Sequence, residues 1–185
     1  MSDGSTEVFE KITDIDERFM DAAFQQAEEA FQNDEVPVGC VVVINNVQVA
    51  VGRNDVNRTK NPTRHAEMVA LDNMKLYCSK ICKNLSDLVA EATLYVTLEP
   101  CIMCAAALYH LRFRRIFYAA ANERFGGLDS VGNRRKYGAE HIIDIISCCR
   151  PTPSIELLKK FYDKENPFCP EEIRNTKRKG RLVLD

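Results

Sequence analysis

Leu94-Tyr95-Val96-Thr97-Leu98-Glu99-Pro100-Cys101-Ile102-Met103-Cys104-Ala105-Ala106-Ala107-Leu108 holds a strand, a stop and a helix in one short stretch. Residues 93–98 are apolar and rich in β-formers, the pattern of a buried strand. Pro100 ends it, because its ring lacks the N–H that a sheet ladder needs and fits the first turn of a helix. Residues 101–111 are Ala-rich and helical in character. Outward from there the same alternation continues. Residues 116–121 read as the next strand, and Asn61-Pro62-Thr63 is a turn that opens a helix over 64–77 with Thr63 as its N-cap. Further back, 38–44 and 47–51 flank Asn45-Asn46 and read as a β-hairpin, after which Gly52-Arg53-Asn54 leaves the sheet.

At the N-terminal side, apolar residues recur at helical spacing over 15–31 (Phe19, Ala23, Ala27, Ala30; Met20, Phe24, Phe31), with Thr13 or Asp14 as N-cap. Downstream, 141–147 reads as a further strand and 154–164, with Ile155, Leu158, Phe161 and Tyr162, as a helix. An initial hairpin followed by alternating helices and strands implies an α/β fold: a mixed sheet, part parallel and part antiparallel, with helices on both faces. The expected organisation is one domain over 15–168, a flexible segment over 1–14 and a basic tail over 169–185.

The 185 residues suffice to bury a full core without disulfides or a structural metal, so a bound metal is expected to do chemistry. No apolar run approaches the roughly 20 residues that cross a bilayer, which argues against a membrane. Met1-Ser2-Asp3-Gly4 lacks the basic-then-apolar pattern of a secretory signal, so the expected setting is a reducing compartment, cytoplasm or nucleus. The eight cysteines are then free thiols or ligands. Lys and Arg number 25 against 27 for Asp and Glu, a net charge of −2, so any polyanion must be held by local patches. The clearest is Arg174, Lys177, Arg178, Lys179 and Arg181; a smaller one is Arg112, Arg114 and Arg115.

The chemistry concentrates in His65-Ala66-Glu67 and Cys101-Ile102-Met103-Cys104. Cysteines three apart on one helical turn turn their sulfurs the same way and can share a metal. His65 and Glu67 would diverge by about 200° on a continuous helix. They address one pocket only if it lies off the helix N-terminus, where backbone N–H groups point outward. One His and two Cys give a tetrahedral metal three ligands and leave a position open for water, and soft thiolates favour zinc. Two thiolates cancel the ion's charge, so a nearby base is needed, and Glu67 is placed to be it. By itself a C-x-x-C serves equally as a redox pair or as half of a structural zinc site, and Glu67 as a solvated helix carboxylate. The remaining cysteines give no fourth ligand at good spacing: Cys78 and Cys82 lie in a polar stretch, Cys148-Cys149 are adjacent, and Cys40 reads as a buried small hydrophobe.

H-x-E followed by P-C-x-x-C is a known signature of zinc nucleobase deaminases. Together with Val36-Pro37-Val38-Gly39-Cys40, Gly52-Arg53-Asn54, Arg64-His65-Ala66-Glu67-Met68 and the stretch quoted first, it resembles the tRNA-specific adenosine deaminases. Asn122-Glu123-Arg124-Phe125-Gly126-Gly127 and Leu157-Leu158-Lys159-Lys160-Phe161-Tyr162-Asp163-Lys164-Glu165-Asn166-Pro167 resemble the eukaryotic catalytic subunit in particular. The resemblance implies a three-layer α/β/α cytidine deaminase-like fold and conversion of adenosine to inosine at the wobble position of tRNA anticodons. It further implies Zn2+ on His65, Cys101 and Cys104, proton transfer by Glu67, and contact of Asn54 with a flipped-out base. Arg64 and Val38 are expected beside the substrate, with the Asn122–Gly127 loop shaping its channel. Expected partners are tRNA, held in part by the basic tail, and a related non-catalytic deaminase-like subunit in a heterodimer. The alternatives are a zinc deaminase of free guanine, cytosine or deoxycytidylate, and a catalytically silent zinc scaffold in an RNA-binding complex.

Overall fold

The computed structural model describes residues 12–164 apart from Cys148. Helix α1 (Asp14–Gln32) starts with a capping box: Thr13 Oγ1 accepts from the Asp16 N–H at 3.3 Å, and Asp16 accepts from the Thr13 N–H at 2.9 Å. Asp14, Asp16 and Glu17 put negative charge at the positive end of that helix. Strands β1 (Gly39–Ile44) and β2 (Val47–Arg53) form the hairpin. Asn45 and Asn46 both take positive φ, 50° and 60°, as a type I′ turn requires.

Strand β2 runs through Arg53, so Gly52-Arg53 stays in the sheet instead of leaving it: Gly39 pairs with Arg53 and Cys40 with Gly52. Close packing explains the glycine. A Cβ at Gly52 would sit 2.1 Å from the Ala66 carbonyl oxygen and 2.5 Å from the Ala70 nitrogen, so its absence lets helix α3 (Ala66–Lys80) rest directly on the strand. Two short helices, α2 (Val56–Thr59) and α4 (Leu85–Val89), were not visible in the sequence pattern. Neither is long enough to show a helical period.

Strand β3 (Thr93–Val96), helix α5 (Ile102–Leu111) and strand β4 (Arg115–Tyr118) follow in the expected order. Beyond them come a 3-10 turn over Arg134–Tyr137, strand β5 (Asp144–Ile146) and helix α6 (Pro151–Asp163). The sheet order is β2-β1-β3-β4-β5. β1 is antiparallel to β2 and β3, and β3-β4 and β4-β5 are parallel, so the sheet is mixed.

All six residues of β1 are buried because helices cover both faces. Val41 and Val43 join Met20, Ala23, Phe24, Tyr95 and Phe117 under α1. Cys40, Val42 and Ile44 point the other way, to Ala66, Ala70 and Met74 of α3 and Ala105 and Leu108 of α5. The chain is therefore a three-layer α/β/α fold, and α3 and α5 share one layer. Among the described residues no helix is long and apolar enough to cross a membrane.

The Tyr95 hydroxyl, from the middle of the sheet, donates to Asp16 at 2.6 Å and thereby fastens the start of α1. Burial alone would raise Asp16, but hydrogen bonds from Thr13 and Tyr95 hold its carboxyl below the usual value. A depressed folded-state pKa contributes stability above the unfolded value of about 3.9 and loses it as pH falls through the lower folded value. Asp16→Asn should therefore cost about 1 kcal/mol at neutral pH. Denaturation measured across the acid range should show the gap between wild type and variant closing below pH ~4.

Candidate metal and catalytic centre

Both metal-ligand motifs sit at the entrance of a helix rather than inside it. His65 is the N-cap of α3, extended at φ −72° and ψ 162°, and Cys101 is the N-cap of α5, at φ −66° and ψ 169°. The break in helical geometry at residue 65 is what lets His65 and Glu67 face one place. Neither side chain makes a capping hydrogen bond; the ring and the sulfur meet each other instead, at 3.4 Å. Thr63, expected as the cap of α3, is instead held by Asn61: its N–H and hydroxyl donate to Asn61 Oδ1 at 3.0 and 2.7 Å. The helix begins two residues later than the turn pattern suggested.

His65 Nδ1 lies 3.4 Å from Cys101 Sγ and 3.7 Å from Cys104 Sγ. Tetrahedral zinc with Zn–N near 2.05 Å and Zn–S near 2.3 Å sets a nitrogen–sulfur separation of about 3.6 Å. Both nitrogen–sulfur separations therefore already stand close to the spacing that a zinc ion demands, and all three ligand atoms lie within 4.8 Å of one another. Donor chemistry agrees with spacing. The Cys104 thiol hydrogen-bonds Cys101 and, with help from the His65 ring, holds the Cys101 thiol well below the usual cysteine range, which favours the thiolate that a metal takes. Cys104, the donor of that bond and deeply buried, is pushed up in exchange.

Glu67, in the first turn of α3, is only 4% exposed. Burial first, and then the negative charge of Cys101, push its carboxyl up to about 7. The Cys104 thiol hydrogen-bonds it. A carboxyl close to neutrality beside a metal site can both accept and release a proton.

Asn54 is buried at the end of β2 and tied at both ends. Its N–H donates to the Val38 carbonyl at 3.1 Å, and its Oδ1 accepts from the Ala66 N–H at 3.0 Å. Asn54 thus supplies from a distance the cap that α3 lacks locally, and only its amide NH2 is left to address a ligand. Val38 buries its side chain in the core and contributes this carbonyl. Arg64 pairs with Asp72 on α3 at 2.7 Å. In the smaller basic cluster, Arg115 pairs with Asp144. Arg174, Lys177, Arg178, Lys179 and Arg181 lie outside the described residues.

Two buried acids were missed by sequence reasoning. Glu35 accepts from the N–H groups of Asn57 and Arg58 at 3.0 and 2.8 Å and holds α2. Glu99 gathers the loop over 122–130. Its one visible signal was a carboxylate at the end of an apolar strand, next to the proline that precedes a ligand.

Residues 13–120, more than half of the chain, match the family of the cytidine and deoxycytidylate deaminase zinc-binding region. The chain is 46% identical over 165 residues to tRNA-specific adenosine deaminase 2 of Xenopus tropicalis, a match covering 86% of this chain and 95% of that one. It superimposes with a TM-score of 0.66 and 32% identity on a structure from biochemical and structural studies of A-to-I editing by tRNA:A34 deaminases at the wobble position of transfer RNA. That match covers 77% of this chain and 99% of the other. A guanine deaminase from Nitrosomonas europaea shares the fold at TM-score 0.63 and 21% identity, over 78% of this chain and 83% of its own.

The metal-centre geometry predicts about one zinc per chain by elemental analysis. His65→Ala and Cys104→Ala should each reduce that content to near zero. Cys82→Ser, at an exposed cysteine, should leave it unchanged.

Proposed function

The chain belongs to the tRNA-specific adenosine deaminases, within the cytidine and deoxycytidylate deaminase zinc-binding family, and on that premise we propose how its residues divide the work. The reaction is the hydrolytic deamination of adenosine to inosine at the wobble position of tRNA. The observation that carries the reading is the meeting of two helix N-termini, which bring His65, Cys101 and Cys104 to zinc-ligand spacing beside a buried Glu67.

His65, Cys101 and Cys104 hold zinc, which when bound supplies Lewis acidity to a water at its open position. Glu67 accepts a proton from the attacking water and delivers it to N1 of the base as the oxygen bonds to C6. It then carries the proton of the new hydroxyl to the amine as the C6–N6 bond breaks. Adenosine and water give inosine and ammonia, with no organic cofactor. The Asn54 amide NH2, oriented because Ala66 occupies its oxygen, is the donor offered to the flipped-out base.

The partner reading has two parts. The basic tail serves as an arm for the tRNA backbone, which the chain's net charge of −2 would otherwise repel. The same acidic balance favours a second, related and non-catalytic subunit that shares the substrate. The setting consistent with such a substrate is cytoplasm or nucleus.

Two experiments test these roles. Glu67→Gln should keep its zinc while inosine formation, mapped by sequencing of treated tRNA, falls on the order of 10²- to 10⁴-fold. The assay is run with the chain alone and with a related non-catalytic subunit, and strong turnover by the chain alone would remove the case for a heterodimer. Truncation after Pro170 should weaken tRNA affinity and flatten its dependence on salt, while zinc content stays at the wild-type level. An unchanged salt slope would remove the tail from the RNA-binding surface.

A further inference from the structure

Glu99 is 1% exposed, and a buried carboxylate is costly unless donors surround it. Five donors do so. Oε1 accepts from the N–H groups of Leu128, Asp129 and Ser130 at 3.1, 2.9 and 3.0 Å. Oε2 accepts from the Asn122 N–H at 3.0 Å and from the Ser130 hydroxyl. All five come from a single loop, so one side chain folds that loop around itself. With its lone pairs spent, the carboxylate has no capacity left for proton transfer.

The loop so gathered is laid against the metal ligand. Gly126 forms a β-bridge with Cys101 itself. The Phe125 carbonyl accepts from the Ile102 N–H at 3.0 Å, and the Gly127 N–H donates to the Pro100 carbonyl at 2.8 Å. Both bonds flank Cys101 in sequence. The contact is close enough to exclude side chains: a Cβ at Gly126 would sit 2.2 Å from Glu99 Oε2, and one at Gly127 would sit 2.9 Å from the Cys101 carbonyl oxygen. Cys101 therefore has Glu99 two residues before it and, across it, the loop that Glu99 holds.

We propose that Glu99 is a positioning residue of the metal centre, which fixes the Cys101 thiolate for its metal by clamping the Asn122–Ser130 loop across the entrance of α5. Its action passes through the loop and not through the substrate. The inference rests on His65, Cys101 and Cys104 being the metal ligands, and the test separates the two claims.

The test replaces zinc with cobalt, whose thiolate charge-transfer and ligand-field bands report the geometry at Cys101. Release of zinc to a chromophoric chelator is followed in parallel. Glu99→Gln keeps the side-chain shape but turns an amide NH2 toward one set of donors. It should shift the cobalt bands and speed zinc release on the order of 10- to 100-fold. Glu35→Gln is the control, since Glu35 is equally buried and hydrogen-bonded to backbone but holds α2 instead of the loop at Cys101. It should lower thermal stability and leave the spectrum and the release rate near wild type.

Wild-type bands in folded Glu99→Gln, or equal shifts in both variants, would overturn the proposal. Absence of thiolate bands in the wild-type cobalt protein would instead overturn the ligand assignment. Should Glu99→Gln fail to fold, Ser130→Ala removes one of the five donors and keeps the rest. Faster release in that variant supports the clamp, and an unchanged rate and spectrum refute it.

Discussion

Cysteine and histidine are short arms, so a three-ligand site forms only where two backbones are held a few ångströms apart. Here the sheet sets that distance. His65 follows β2 and Cys101 follows β3, with β1 between them. Two strand spacings amount to about 9.6 Å, which falls within the 8–10 Å at which helices pack side by side. Helices α3 and α5 can therefore lie next to each other on one face, both seated on the same apolar cluster. Their N-termini reach the same edge of the sheet at the same level. The missing Cβ of Gly52 lowers α3 onto β2, and the Asn54 cap fixes where its first turn begins.

Three buried glutamates show how environment assigns work to one residue type. Glu99 and Glu35 meet several N–H donors each and serve as anchors for a loop and a short helix. Glu67 meets the Cys104 thiol and the negative field of Cys101, and its carboxyl moves up toward neutrality while Glu99 is held low. A carboxylate saturated with backbone donors is a structural pin. One left short of donors is available for protons.

The site was legible in the sequence where its signal is local. The C-x-x-C spacing, the proline before it and the mismatch between a two-residue step and the helical period by themselves place His65, Glu67, Cys101 and Cys104 at helix entrances. The sheet followed from apolar runs and their turns. What could not be read are bonds spanning many residues of sequence: Asn54 to Ala66, Glu35 to α2, Glu99 to its loop. Polar contacts of this kind leave no periodicity. For the same reason Thr63 looked like the cap of α3, since a local Thr is the usual choice and a remote Asn carries no mark. Gly52 read as a break because glycine in a strand has two meanings, and only the helix lying on it reveals which applies.

The fold is shared with a guanine deaminase, so the α/β/α frame does not select the base by itself. Selection must arise where this chain offers donors and acceptors that the frame does not require. Asn54, with its oxygen held by the Ala66 N–H, leaves its amide NH2 as a donor of fixed orientation, which suits the base contact proposed for it. The proposed thiolate ligation adds a second constraint. Two negative sulfurs offset the charge of a divalent ion, so proton handling falls on the chain's own base. Burial raises the Glu67 carboxyl above the usual carboxylate range, which suits the group proposed to take a proton from water and return it to nitrogen. Burial of Glu67 therefore serves the chemistry proposed for it, and its place in the first turn of α3, a helix seated directly on β2, goes with that burial.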